Sequence, residues 1–301
     1  MLLLAPILLF ILWHLAAGNP RYHTTTNLDS KIYLAGGNLN HLLECEVKKN
    51  LCSRLAKLPQ KLDFPQSIFV RGTYYFLGGV NQERNANEKV YVFDRIKKTW
   101  NTINSLNVPR SRFSVATFED RIWAIGGHKD DSRFPGKLHN IADIETLDLT
   151  KMVWQTESKL PTPRHGHTAL FVNDKLYVIG GYADKGPTGI VEIYDTQSKT
   201  WTKSTPLKFP RGFHGATLRG EKIIVYGGRS PTPLPTEVFD IKHQKWKLQS
   251  TLPFDRARFG SGVLVDNRIV VIGGEKNSGF PIVVPTFESL GFFDWKSDFR
   301  F

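Results

Sequence analysis

Six apolar runs recur along the chain, each closed by a pair of glycines: KIYLAGG (Gly36, Gly37), YYFLGG (Gly78, Gly79), RIWAIGG (Gly126, Gly127), KLYVIGG (Gly180, Gly181), KIIVYGG (Gly227, Gly228) and RIVVIGG (Gly273, Gly274). Successive pairs lie 42, 48, 54, 47 and 46 residues apart. A period near 50 residues marks a repeat architecture, in which a unit buries its faces only by stacking on its neighbours. The runs do not alternate polar with apolar, so each predicts a strand covered on both faces rather than one side of a lone sandwich.

Around each run the pattern continues. A variable polar loop follows the glycines, then a strand ending in an acid, then a Trp six residues on: Asp94 to Trp100, Asp148 to Trp154, Asp195 to Trp201 and Asp240 to Trp246. A further strand precedes each run, often opened by Pro-Arg, as at Pro109-Arg110, Pro163-Arg164 and Pro210-Arg211. The fourth repeat shows four short strands, RHGHTALFV, KLYVIGG, GIVEIYD and TWTKST, with Asn173-Asp174 supplying turn residues between the first two. The acid is expected to cap the turn between the third and fourth strands, and the Trp to fill the seam between units.

Glycine pair, acid and spaced Trp together resemble the kelch repeat, a β-propeller motif. The resemblance runs from Pro20 to the end. It implies an all-β fold, a six-bladed propeller of four-stranded antiparallel blades near residues 20–59, 60–109, 110–163, 164–210, 211–255 and 256–301. Two repeats depart from the pattern. The first opens with Pro20-Arg21 but places Cys45, Glu46 and Cys52 where others have aromatic, Asp and Trp. The last has Phe293-Asp294, yet Phe301 falls about where its fourth strand should begin, so that blade is expected to be short or incomplete. No exchanged strand is evident to close the ring.

Composition places these repeats in a cellular context. Residues 1–18 (MLLLAPILLFILWHLAAG) carry no Asp, Glu, Lys or Arg and end in small residues, as a cleaved signal peptide does, although no basic residue opens the segment. A secreted protein with no membrane attachment after cleavage is the expectation; a retained anchor is the competing one. Cys45 and Cys52 occupy positions that face each other across the third and fourth strands. Facing hairpin positions bring Cα atoms about 4.5–5.5 Å apart, within reach of a disulfide. In an oxidising compartment the pair is expected to be bridged; two buried thiols are the alternative.

The formal net charge is +12, from 40 Lys and Arg against 28 Asp and Glu. The basic residues are spread, with no block of five or more, so they read as a solvated surface that can still steer an acidic partner. No nucleic-acid module is present. Two cysteines make no zinc site, the glycine pairs form no phosphate loop, and His165-Gly166-His167 reads as part of a strand because His214 falls at the position of His167. No metal or cofactor is expected, and no nucleophile elbow or cysteine nucleophile stands out.

A non-catalytic protein-binding scaffold is the leading functional expectation. Two residues past the Arg that opens a repeat, the chain enters the innermost strand, which places Arg112, Gly166, Phe213 and Arg258 at the channel mouth. Loop residues His128, Tyr182 and Arg229, just after their glycine pairs, should join the same rim. In kelch proteins that bind acidic peptides, arginines at similar positions grip carboxylates, which suits a planar guanidinium fork. The competing reading is that each Arg only pairs with a neighbouring acid. The kelch relatives that serve ubiquitin ligases carry a BTB or F-box domain, for which this chain has no room. The resemblance also implies two alternatives, a sugar-modifying enzyme of the sialic acid mutarotase kind, with Glu275 as its best-placed acid, and an extracellular matrix protein. The oligomeric state is left open.

Overall fold

The computed structural model describes residues 22–46, 51–131, 133, 139–229, 234–251, 257–258, 262–265, 268–274 and 287–289. Every regular element among them is a β-strand. The first blade is β1 (His23–Leu28), β2 (Lys31–Gly36), β3 (His41–Glu46) and β4 (Leu51–Lys57); the second is β5 (Gln66–Val70), β6 (Thr73–Leu77), β7 (Val90–Asp94) and β8 (Thr99–Ile103). The third is β9 (Ser114–Phe118), β10 (Arg121–Ile125), β11 (Asp143–Asp148) and β12 (Val153–Lys159). The fourth holds β13 (Thr168–Val172), β14 (Lys175–Ile179), β17 (Val191–Asp195) and β18 (Thr200–Ser204), with a small extra hairpin, β15 (Tyr182–Ala183) and β16 (Gly186–Pro187), in its loop. The fifth is β19 (Gly215–Arg219), β20 (Lys222–Tyr226), β21 (Pro235–Asp240) and β22 (Lys245–Thr251). A further sheet has three described strands, β23 (Val263–Val265), β24 (Arg268–Ile272) and β25 (Phe287–Ser289). All pairings are antiparallel, each strand with the next of its own sheet (β14 with β17 across the small hairpin), so each blade is a meander. Residues 1–18, Glu275 and the expected fourth strand of the last blade lie outside the described residues.

The first strands of adjoining blades pack side by side, β1 on β5, β5 on β9, β9 on β13, β13 on β19, and β1 on β23. Successive side chains of a strand point to opposite faces, and both faces of each second strand are covered. Ile32 and Leu34 of β2 meet Val263, Val270 and Ile272, whereas Tyr33 and Ala35 meet Tyr74, Phe76 and Trp100 of blade two. The same division recurs at each later seam. This is the physical reason the runs before the glycine pairs are apolar without alternation.

The glycines themselves are seam elements. Gly126 sits at φ +56°, and a Cβ there would meet His167 of the next blade at 3.0 Å and the Arg164 carbonyl oxygen at 3.0 Å. Pro65, Phe113 and His214 press in the same way on Gly36, Gly78 and Gly180. The Trp residues bridge outward: the indole N–H groups of Trp100, Trp154 and Trp246 donate to the carbonyls of Lys57, Asn104 and Thr205, and that of Trp201 to the Ser158 hydroxyl. Asp94, Asp148 and Asp195 each accept two backbone N–H bonds at the following turn. Cys45 and Cys52 face each other in register and form a disulfide, with Cα atoms 4.0 Å apart.

One structural motif escaped the sequence reading. Arg110, Arg164 and Arg211 are fully buried and pair with Glu145, Glu192 and Glu237 on the third strands of their own blades. The Arg211 guanidinium donates to the Glu237 carboxylate at 2.8 Å and to the carbonyls of Phe209, Gly227 and Pro235. Glu237 in turn accepts the backbone N–H groups of Lys208 and Phe209. Arg110 and Glu145 repeat the arrangement. Each pair thereby staples the link between blades to the glycine turn. It also fixes the chain two residues before the mouth.

Candidate functional site at the mouth of the ring

The mouth is built on a closed belt of backbone hydrogen bonds. Phe64 N–H donates to the Tyr22 carbonyl (2.8 Å), Arg112 to Phe64 (3.4 Å), Gly166 to Arg112 (2.7 Å), Phe213 to Gly166 (2.7 Å), Arg258 to Phe213 (3.2 Å) and Tyr22 to Arg258 (3.3 Å). All six residues sit at positive φ, between 51° and 61°. Only Gly166 adopts that conformation without strain; for the other five the belt holds a backbone that would otherwise be disfavoured. A second layer lies outside it: Ser111 bridges His128, His165 bridges Tyr182 and Gly212 bridges Arg229. Four belt positions and three loop positions were therefore legible in the sequence. Tyr22 and Phe64 were not, and Pro20-Arg21 is out of register, since the belt residue is Tyr22.

Side chains turn this belt into a floor. Phe64 and Phe213 stand three positions apart on the six-membered belt, on opposite sides, and their ring centroids are 5.9 Å apart, so they meet across the axis. Tyr22 packs on Phe64 (4.5 Å), and Phe213 continues to Tyr182 (5.5 Å) and His165 (5.8 Å). Phe213 leans over Gly166, where a Cβ would come within 3.1 Å of its ring, and Tyr182 lies on Gly212. Beneath is a cavity of about 60 Å³ among the inner strands.

Two arginines flank this floor, also on opposite sides of the belt. The Arg112 guanidinium is 4.3 Å from the centroid of Phe64, and that of Arg258 is 5.4 Å from both Tyr22 and Phe213. Their partners differ. Arg258 Nη1 donates to the Tyr22 hydroxyl at 3.1 Å. Arg112 Nη1 donates to both carboxylate oxygens of Asp130, each at 2.6 Å, and to Ser111 Oγ at 2.9 Å. Ser111 donates its hydroxyl to the same carboxylate, and His128 Nδ1 stands 3.4 Å from it. Burial would push the Asp130 carboxyl up, but its bonds to His128, Arg112 and Ser111 hold it well below the usual carboxylate range. Arg112 is thus engaged by an acid of its own chain.

The remaining rim groups are placed as follows. His165 Nδ1 is 2.7 Å from Asn140 Oδ1, and burial, helped by His128 and Arg112, pushes it down to about 3. The Tyr182 phenol is raised by burial, with Arg229 and Arg258 close enough to oppose that shift. Arg229 is exposed, its backbone N–H on the Gly212 carbonyl at 2.7 Å. His167 is not a rim residue: it is the wedge against Gly126. Among the described residues no group of three His, Cys, Asp or Glu is arranged to hold a metal.

Blades that meander outward, seams sealed by a spaced Trp and a belt of inner turns define a β-propeller. The chain belongs to the kelch-repeat family: residues 66–274 match the profile described as the KLHDC2/KLHL20/DRC7 Kelch-repeats domain. It is 26% identical over 239 residues to Kelch-like protein 15 of Danio rerio, covering 70% of this chain and 38% of that protein. It is 28% identical over 173 residues to an F-box/kelch-repeat protein of Arabidopsis thaliana, covering 54% and 43%. Alpha-scruin of Limulus polyphemus matches at 25% over 130 residues, covering 41% and 14%. The chain thus spans less than half the length of these relatives. The solved structure titled "Structure of YjhT" superposes with a TM-score of 0.77 at 17% identity, over 89% of this chain and 94% of that one, which is a likeness of fold.

Proposed function

We propose that the protein is a secreted six-bladed scaffold without catalytic activity that receives an acidic segment of a protein partner on the mouth of its ring. The observation that carries this reading is the pair of arginines stacked on opposite sides of an aromatic floor. Half-buried aromatic rings supply contact area with little loss of side-chain freedom, and stacked guanidinium planes are held ready for bidentate bonding to carboxylates. Arg229 beside Tyr182 adds a third cation, and the +12 charge steers an acidic partner inward. The six-membered belt and the packing of β1 on β23 support a ring of six blades. The apolar first 18 residues and the disulfide favour the secretory pathway.

Photo-cross-linking tests the reading. A benzophenone side chain replacing Tyr182 should capture a partner from extracellular fluid that the same group at Ile96, on an exposed outer turn, does not. Equal capture from both positions would count against the mouth.

A further inference from the structure

The mouth holds one site that is already filled. Two carboxylate oxygens rest on Arg112 Nη1, a serine hydroxyl donates to the same carboxylate, and the guanidinium is stacked on Phe64. That is the set of contacts a protein would present to an acidic side chain, and the carboxylate in it is Asp130. The residue arrives from the loop after Gly126-Gly127, a loop tied down by the bond from Ala86 N–H to the Asp130 carbonyl (2.9 Å) and by Lys129 N–H to the His139 carbonyl (3.0 Å).

The neighbouring repeat is an internal control. Asp184 stands three residues past Gly181 as Asp130 stands three past Gly127. The belt residue of that repeat is Gly166, with no guanidinium to offer. Asp184 there stays exposed and accepts a bond from Asn140 Nδ2 at 3.0 Å. The acid is therefore common to the two loops, and only the one with an arginine beneath it folds inward.

We infer that the Arg112–Ser111 site is a carboxylate-binding subsite occupied by Asp130 as a stand-in for an aspartate or glutamate of the partner, which must displace it to bind. Resting on the scaffold reading above, this makes Asp130 the residue that sets the threshold for acidic ligands. A single carboxylate competes poorly with a tethered one, because the tether confers a high effective concentration. Segments with several acids, which also engage Arg258 and Arg229, gain enough to displace it. The mouth accordingly selects clustered acids over isolated ones.

Fluorescence anisotropy with a labelled hexaglutamate peptide and the full chain tests this. Asp130→Asn, which keeps the side-chain shape and removes the charge, is expected to bind the peptide at least 10-fold more tightly than the wild type. Arg112→Ala added to Asp130→Asn should abolish the gain, and hexaglutamine should show none. Asp184→Asn removes the same charge from the same loop position without touching Arg112, and should change affinity less than 2-fold. If Asp130→Asn does not fold, Asp130→Ser takes its place. Equal gains from Asp130→Asn and Asp184→Asn, or a gain that survives loss of Arg112, would reduce the effect to surface charge and overturn the proposal. So would no gain at all. Hexaglutamate binding that needs Arg258 and Arg229 but ignores Asp130 would leave the scaffold reading standing while removing this one.

Discussion

Arg110, Arg164 and Arg211 are among the largest fully buried side chains in the molecule, and each has one acid. Removing one member of such a pair strands a charge in the interior, whereas replacing both by apolar groups is often tolerated. Blade two already does the latter, with Leu62 and Tyr91 buried at the corresponding places. Glu237→Gln is therefore expected to destabilise the protein by about 3–5 kcal/mol. Arg211→Leu combined with Glu237→Tyr should recover most of that loss in thermal or urea unfolding. A double variant as damaged as the single one would show that the arginine's carbonyl contacts, rather than charge pairing, hold the seam. These glutamates were not legible in advance. Each lies three residues before the turn-capping Asp and reads as an ordinary strand position, and variable loops place it 35, 28 or 26 residues after its arginine.

Buried histidines at the seams make stability depend on pH. Burial pushes His23 down to about 4 and His214 to about 3, and His167 is lowered as well. In the unfolded chain these rings titrate near 6.5, so below that value the unfolded state takes up protons that the native state refuses. Stability is full above pH 6.5 and falls as the pH drops toward the folded values, by about 1.4 kcal/mol per histidine per pH unit. Asp130 acts in the same direction but later: its contribution is lost only below about pH 4. The unfolding temperature should fall steeply from pH 7 to pH 5. His214→Phe, which copies Phe113 of blade three, should flatten that slope; an unchanged slope would remove the seam histidines as its cause.

At the level of blades, the repeat was readable because its signals are local. Runs covered on both faces, an acid that caps its own turn and a Trp reaching the preceding blade all depend on fixed offsets within one unit. The belt was readable where Pro-Arg or Asp-Arg marks it, and unreadable in blades one and two, where those markers are missing or shifted by a residue. Loop chemistry was hidden for a different reason: whether Asp130 or Asp184 folds inward depends on which residue another blade segment places beneath it. Blade one offers the sharpest test at this scale. Its fourth strand, Leu51–Lys57, is largely exposed, and the Cys45–Cys52 bond stands where other blades have an aromatic seam. Replacing both cysteines by serine should cost about 2 kcal/mol of stability. The wild type under reducing conditions should unfold at the same lowered temperature as that variant, and an unaltered unfolding temperature would deny the bond a structural role.

For the whole molecule, the belt of six backbone bonds joins the beginning of the described chain to its last repeat, and the aromatic floor seals the axis. Arg112 and Arg258 flank that floor, and Arg229 stands in the loop layer outside it. The proposed partner sits on this face, against Arg112 and Arg258. Isothermal titration of the captured partner against wild type, Arg112→Ala, Arg258→Ala and the double variant measures this directly. Each single change should weaken binding by about 1–3 kcal/mol, and the double variant should lose more than either. Undiminished affinity in the double variant would contradict the account and move the binding site off this face.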